Sequence, residues 1–197
     1  MKRTMGVGLA MALALGVVAC DMETDAVETT PTVDPPDAPA AERDDRDQPV
    51  RVQMHDRDGN HVGDGTLTAR NGSTEVAIRV HDMEPGIRGF HVHEHPRCDP
   101  PDFETAGGHF NPDDREHGFE NPEGPHAGDL PNLRIREDGS ADTTFVSEHL
   151  LLRNGDRALL TTGGALMIHA EEDDYRTDPT GDAGDRIACG VIVAERR

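Results

Sequence analysis

From Val50 onward the chain is a series of short stretches of alternating apolar and polar residues, each closed by residues able to take the positive φ of a tight turn. The stretches are 50–55, 60–69, 74–81, 87–93, 132–136, 142–147, 165–169 and 187–194, and the breaks include Asp58-Gly59-Asn60, Asn71-Gly72, Glu84-Pro85-Gly86, Asp138-Gly139, Asn154-Gly155 and Gly163-Gly164. A period of two sends successive side chains to opposite faces, so each stretch can bury one face and leave the other for solvent or a partner. About eight such strands without a long helical pattern predict an all-β antiparallel sandwich or barrel.

One segment does not alternate. Between His93 and Leu133 lie some forty residues rich in Pro, Gly, Asp and His. A loop of that length in an ordinary domain is usually functional, and this one carries its own fasteners: Cys98 at one end, and His109, His117, His126 and Asp129 along the rest. Three histidines and a carboxylate make a closed tetrahedral set for zinc. Cation binding there would contribute directly to folding.

A second set begins in Gly89-Phe90-His91-Val92-His93-Glu94, where the strand period places both imidazoles on one face and Phe90 and Val92 on the other. His169, ending Ala165-Leu166-Met167-Ile168-His169, supplies a third ring. A nitrogen-rich set of this kind suits copper. Any one of these histidines alone would usually be a solvated side chain; the number and spacing carry the inference.

The formal net charge of -20 and an aromatic content of 3% resemble a disordered chain, but much of that impression comes from the N-terminal region. Lys2 and Arg3 precede an apolar run, Met5 to Val18, too short to span a membrane comfortably, and Val17-Val18-Ala19-Cys20 resembles a bacterial lipoprotein cleavage box. Residues 1–20 are therefore expected to be a lipoprotein signal peptide, with Cys20 acylated as the only membrane attachment. Residues 21–48, with ten acids and four prolines, read as a flexible acidic tether. The remaining domain, 49–197, keeps 29 of the 39 acids and 15 of the 19 bases and contains no lysine. That balance argues against nucleic acid, whose phosphates demand clustered cations.

Export to the periplasm or cell envelope changes how cysteine is read, because an oxidising compartment favours disulfides. With Cys20 acylated, Cys98 and Cys189 remain as one bridge or as two buried thiols. A bridge across 91 positions would contribute on the order of 4 to 5 kcal/mol on the chain-entropy model.

Taken together, His91-Val92-His93, Gly107-Gly108-His109-Phe110-Asn111-Pro112, Glu116-His117-Gly118, His126-Ala127-Gly128-Asp129-Leu130 and Arg186-Ile187-Ala188-Cys189-Gly190-Val191 resemble the copper/zinc superoxide dismutases, in order and at family-like spacing. The resemblance implies an eight-stranded Greek-key β-barrel with long metal-binding loops. It implies copper on His91, His93, His109 and His169, and zinc on His109, His117, His126 and Asp129, so that His109 bridges as an imidazolate. It further implies that Asp173 hydrogen-bonds a ligand of each metal, that Arg186 docks superoxide, and that Cys98 and Cys189 form a disulfide. The implied reaction alternately reduces and reoxidises copper, turning superoxide into oxygen and hydrogen peroxide. His109 moves the proton, and a homodimer is left open.

Two features fit less well. Superoxide is an anion, yet near the site Glu171-Glu172-Asp173-Asp174-Tyr175-Arg176 offers only Arg176 as a further cation. Weaker steering than in lysine-bearing relatives is therefore expected. His55, His61, His81, His95 and His149 fall outside the motifs and read as surface residues. His95, two positions beyond His93, has a lesser claim to a part in copper capture. The competing function is a metal-storage envelope lipoprotein on the same barrel, without turnover.

Overall fold

The computed structural model describes residues 48–194. The signal peptide expected at 1–20, with Cys20, and all of the tether expected at 21–48 except Gln48 lie outside them. Within the described residues run nine strands: β1 Val50–Asp56, β2 His61–Arg70, β3 Ser73–Val80, β4 Gly86–Arg88, β5 Phe90–His93, β6 Leu133–Ile135, β7 Ala141–Ser147, β8 Gly164–His169 and β9 Arg186–Ile192. Among the described residues helix is limited to the 3-10 turn Glu104–Ala106 and the single turn α1, Leu159–Thr162.

Seven strands form one antiparallel sheet in the order β5-β8-β9-β1-β2-β3-β7, and β4 pairs with β6 separately. The last strand, β9, returns beside the first of a three-strand meander, which is the Greek-key arrangement. The expected all-β antiparallel class holds. There is one strand more than the eight expected, because the stretch 87–93 divides at Gly89. Residues 86–88 pair with β6, while 90–93 pair with β8. At the corner Gly89 donates to the Glu171 carbonyl and accepts from His169 N–H. A Cβ at Gly89 would lie 2.7 Å from the Cβ of Ala183, so only glycine lets the chain change sheets here.

Binary patterning explains the core. On β3, Thr74, Val76, Ile78 and Val80 are buried while Ser73, Glu75, Ala77 and Arg79 are not. Val76, Ile78 and Val80 meet Val52, Met54, Leu67, Phe90, Val92, Leu133, Leu166 and Ile168 in one cluster. β5 and β8 depart from half-burial, since every residue in both is buried. Their inner faces, Phe90 with Val92 and Leu166 with Ile168, join the core; their outer faces are covered by the long connections. Ala165, Met167 and Cys189 on the outer side pack against Phe103 and Ala106 from the 93–133 loop. A disulfide joins Cys98 to Cys189, with Cα atoms 5.7 Å apart.

That disulfide seals the covering loop against β9. Replacing both cysteines by serine should lower unfolding stability by about 2–5 kcal/mol, read as a drop in the denaturant midpoint under oxidising conditions. An unchanged midpoint would mean that the outer apolar cluster holds the loop unaided.

Candidate metal centre

The outer face of β5 presents His91 and His93, both essentially inaccessible to solvent. Beside it β8 ends in His169, where an irregularity of register after Ile168 sets this residue opposite Arg186 of β9. The loop then folds back along β5. Phe110 N–H donates to the Val92 carbonyl, Val92 N–H to Gly128, and Glu94 N–H to Gly108, giving isolated bridges that pair His93 with His109 and His91 with Asp129. Gly128 permits this approach, because a Cβ there would lie 2.3 Å from the Val92 carbonyl oxygen. The loop is thus stitched to β5 through its backbone, and the stitching brings its histidines to those of the strand.

Two groups of potential ligand atoms result, each within 4.8 Å mutually: His91, His93, His109 and His169, and His109, His117, His126 and Asp129. In the first group most rings have one nitrogen already engaged. His93 Nδ1 donates to the Gly107 carbonyl at 2.8 Å, His169 Nδ1 to Gly184 at 3.0 Å, and His91 Nε2 to Asp173 Oδ2 at 2.7 Å. Such contacts fix the tautomer and aim the other nitrogen. The aimed atoms converge: Nε2 of His93 and of His169 are 3.4 Å apart. His91 Nδ1 and His109 Nε2 are buried without any hydrogen-bond partner, which normally carries a desolvation cost of about 1–3 kcal/mol each. A cation ligated by these lone pairs removes that cost, so the residues fit one.

The second group is centred on Asp129 Oδ1, which lies 2.9 Å from His109 Nδ1, 3.1 Å from His117 Nδ1 and 3.4 Å from His126 Nδ1. His117 Nδ1 is close but lacks hydrogen-bond geometry, and it too is a buried nitrogen without a partner. The other carboxylate oxygen of Asp129 accepts from the N–H groups of Gly118 and His126, so the side chain cannot swing away. Asp173 joins the groups, its Oδ2 on His91 and its Oδ1 3.0 Å from His117 Nε2. His109 faces both groups at once, Nε2 to the first and Nδ1 to the second.

Burial sets the protonation of the rings. It lowers His91 to about 3, with repulsion from His109 adding to the effect, and His169 to about 4. Burial likewise lowers His93 and His109. All four are thus neutral and available as ligands at neutral pH. His117 goes the other way: burial opposes its charge, but the carboxylates of Asp129 and Asp173 outweigh it and raise the ring to about 9. Both carboxylates, although desolvated, are held below the ordinary range by their histidine partners. The second group therefore favours positive charge at its centre.

A cleft opens over the first group, lined by His93, His109, His169 and Arg186 and rimmed by Glu94, Asn111, Pro179, Thr180 and Asp182. The Arg186 guanidinium is pinned by donating to the carbonyls of Phe103 and Gly107, each at 2.7 Å. Burial lowers its pKa, but an arginine keeps its charge. Glu104 and Asp102 stand close enough to favour its charge, while Asp185 pairs with Arg57.

All the metal-site residues singled out in the sequence are thus brought together, with Asp173 and Arg186. His95 is not among them: the strand ends at His93, and His95 is exposed beside Glu94. Arg176 is exposed and paired with Glu120. Sequence reasoning missed Asn132, whose amide clamps the backbone of Asp173 in both directions, and Asp178, which accepts from His117 N–H. Neither has a local pattern that would have revealed it, because each acts across more than forty positions.

Comparison with known proteins agrees with this geometry. The family model described as copper/zinc superoxide dismutase (SODC) matches residues 61–192. The chain is 42% identical over 137 residues to Cu-Zn superoxide dismutase 1 of Aquifex aeolicus, covering 68% of this chain and 81% of that protein. Its fold is similar to the crystal structure of a SOD-like protein from Bacillus subtilis, with a TM-score of 0.69 and 40% identity over 73% of this chain and 97% of the other. It is also similar to the Cu/Zn superoxide dismutase from Brucella abortus, with a TM-score of 0.61 and 33% identity over 74% and 99% of the two chains.

The protonation pattern predicts how chelator-stripped protein responds to pH. The lowered histidines, held at about 3 and 4 for His91 and His169, bind fewer protons folded than unfolded, where they titrate near 6.5, so their contribution is present above 6.5 and lost as pH falls. His117, raised to about 9, contributes below 6.5 and loses that contribution as pH rises to about 9. The melting temperature of stripped protein should therefore peak near pH 6.5 and fall on both sides. A steady rise from pH 5 to pH 9 would contradict it.

Proposed function

This chain belongs to the copper/zinc superoxide dismutase family, and we propose that it performs the family's reaction with copper on His91, His93, His109 and His169 and zinc on His109, His117, His126 and Asp129. It is an oxidoreductase of the superoxide dismutase type, and copper and zinc are its metals. The observation that supports the ligand assignment is the set of buried ring nitrogens without partners, His91 Nδ1, His109 Nε2 and His117 Nδ1, aimed into the two groups.

Copper supplies one-electron redox chemistry when bound, while zinc has none and acts as a structural and electrostatic centre. The chain does the rest. Arg186 offers a fixed cationic fork beside His93 and His169, suited to holding a small anion end-on in the cleft. His109 is the proton carrier: Nδ1 stays committed to the second group, so protonation and release happen at Nε2, which faces the cleft side. Asp173 fixes the tautomer of His91 and the orientation of the His117 ring. Over a full cycle two superoxide anions and two protons become one oxygen and one hydrogen peroxide.

The similar Bacillus subtilis protein is SOD-like, and the alternative function is storage, with both metals bound and no turnover. Replacing Arg186 by alanine separates the readings and tests steering. The variant should keep both metals while kcat/KM falls about 10- to 100-fold; equal rates would remove Arg186 from substrate docking, and no rate in fully loaded wild type would establish storage. With Asp182 and Glu94 on the rim, the wild-type rate should stay level or rise with added salt, and a steep fall would contradict weak steering.

We further propose that the protein is exported and lipid-anchored at Cys20 in the cell envelope, a reading supported by the Cys98–Cys189 disulfide, which suits an oxidising compartment. Cys20→Ala should release the protein from the membrane fraction of a bacterial host and abolish acylation seen by mass spectrometry. Unchanged membrane retention would refute the anchor.

A further inference from the structure

Three histidines outside the metal centre form a row on the outer face of the sheet. His55 ends the outward series of β1, His61 opens β2, and His81 follows β3 directly. His55 and His61 are register partners, and His81 N–H donates to the Val62 carbonyl, so the three rings sit on adjacent strands. Strict alternation would send His61 and Asp64, three positions apart, to opposite faces. The register shift at Met54/His55 inserts an extra residue into β2, and both side chains consequently point outward, His61 Nε2 lying 3.3 Å from Asp64 Oδ1.

We propose that this row is a third cation site, centred on His61, for a borderline divalent cation of the zinc(II) or copper(II) kind. The two ring pairs that share His61 lie within the range of separations seen between co-ligating pairs elsewhere in the same molecule. Centroids are 5.7 Å apart for His55 and His61 and 5.8 Å for His61 and His81. Within the metal centre, rings that share a group stand from 4.0 Å apart, for His91 and His109, to 6.5 Å, for His91 and His93. The tilts, 72° and 54°, also fall among those of the centre, which run from 29° to 89°.

Two of the rings are also already oriented by a carboxylate. His61 has Asp64 on Nε2, and His81 has Asp82 Oδ2 on Nδ1 at 2.8 Å. A carboxylate on one ring nitrogen orients the other as a ligand, as Asp173 does for His91 and His117 in the metal centre. Asp64 and Asp82 also bring carboxylate charge to the row, which favours a cation. These rings are partly exposed, unlike those of the centre, and so have room to change rotamer as a cation binds. Imidazole with outlying carboxylate selects zinc(II) or copper(II) over calcium or magnesium, which require oxygen ligands. This inference does not depend on dismutase activity.

The test is equilibrium dialysis of the full chain, already loaded with one copper and one zinc, against micromolar zinc(II) and, in a separate arm, copper(II). A saturable third equivalent of either cation is expected, and His61→Gln should weaken it about 10-fold or more while leaving the first two metals and the dismutation rate unchanged. His149→Gln, an exposed histidine outside the row, should retain it. Absence of a third equivalent in both arms, or its retention in His61→Gln, would overturn the proposal.

Discussion

The structure depends on one imidazole between two sets of ligands. His109 presents Nε2 to His91, His93 and His169 and Nδ1 to Asp129, while the ring itself is almost wholly buried. A buried imidazole with both nitrogens aimed at other ligands is costly in an ordinary core, where each unpaired polar atom loses its hydration without compensation. The arrangement is economical only if cations occupy the points at which the rings converge. Its polar neighbours follow from that condition: Asp129 held by two backbone N–H groups, Asp173 spanning both groups, and four rings kept neutral by burial.

The barrel provides the rigidity this requires. β5 and β8 carry core residues on one face and ligands on the other, so a ligand cannot shift without disturbing Phe90, Val92, Leu166 or Ile168. Close-packed interiors resist such shifts. The loop has little regular structure of its own; the backbone bridges to β5, the outer apolar cluster around Phe103 and Met167, and the disulfide to β9 hold it at three places. Positioning is therefore shared between a sheet that fixes three ligands and a loop that is itself fixed by contacts at both ends.

How much of this was legible in the sequence follows from the range of each interaction. Alternation in β3 and the turn signals are local, so the class and most strand positions could be read directly. The split at Gly89 could not, because it arises from the approach of Ala183, Glu171 and His169. The ligands were readable since their residue types are rare in combination, whereas Asn132 and Asp178 act on partners far along the chain and look like ordinary loop residues. The row His55, His61 and His81 was read as surface, since the register shift that aligns His61 with Asp64 leaves no mark in the pattern of residues.

The decisive question is whether the ring of residue 109 lies between two different metals. Anomalous diffraction at the copper and zinc edges, on crystals of the fully loaded protein, measures this directly. Two distinct peaks about 6 Å apart, a spacing set by the ring and two coordination bonds of about 2 Å, should flank that ring, with copper on the side of His91, His93 and His169. A single shared peak, or two peaks with the ring coordinated to only one of them, would contradict the account.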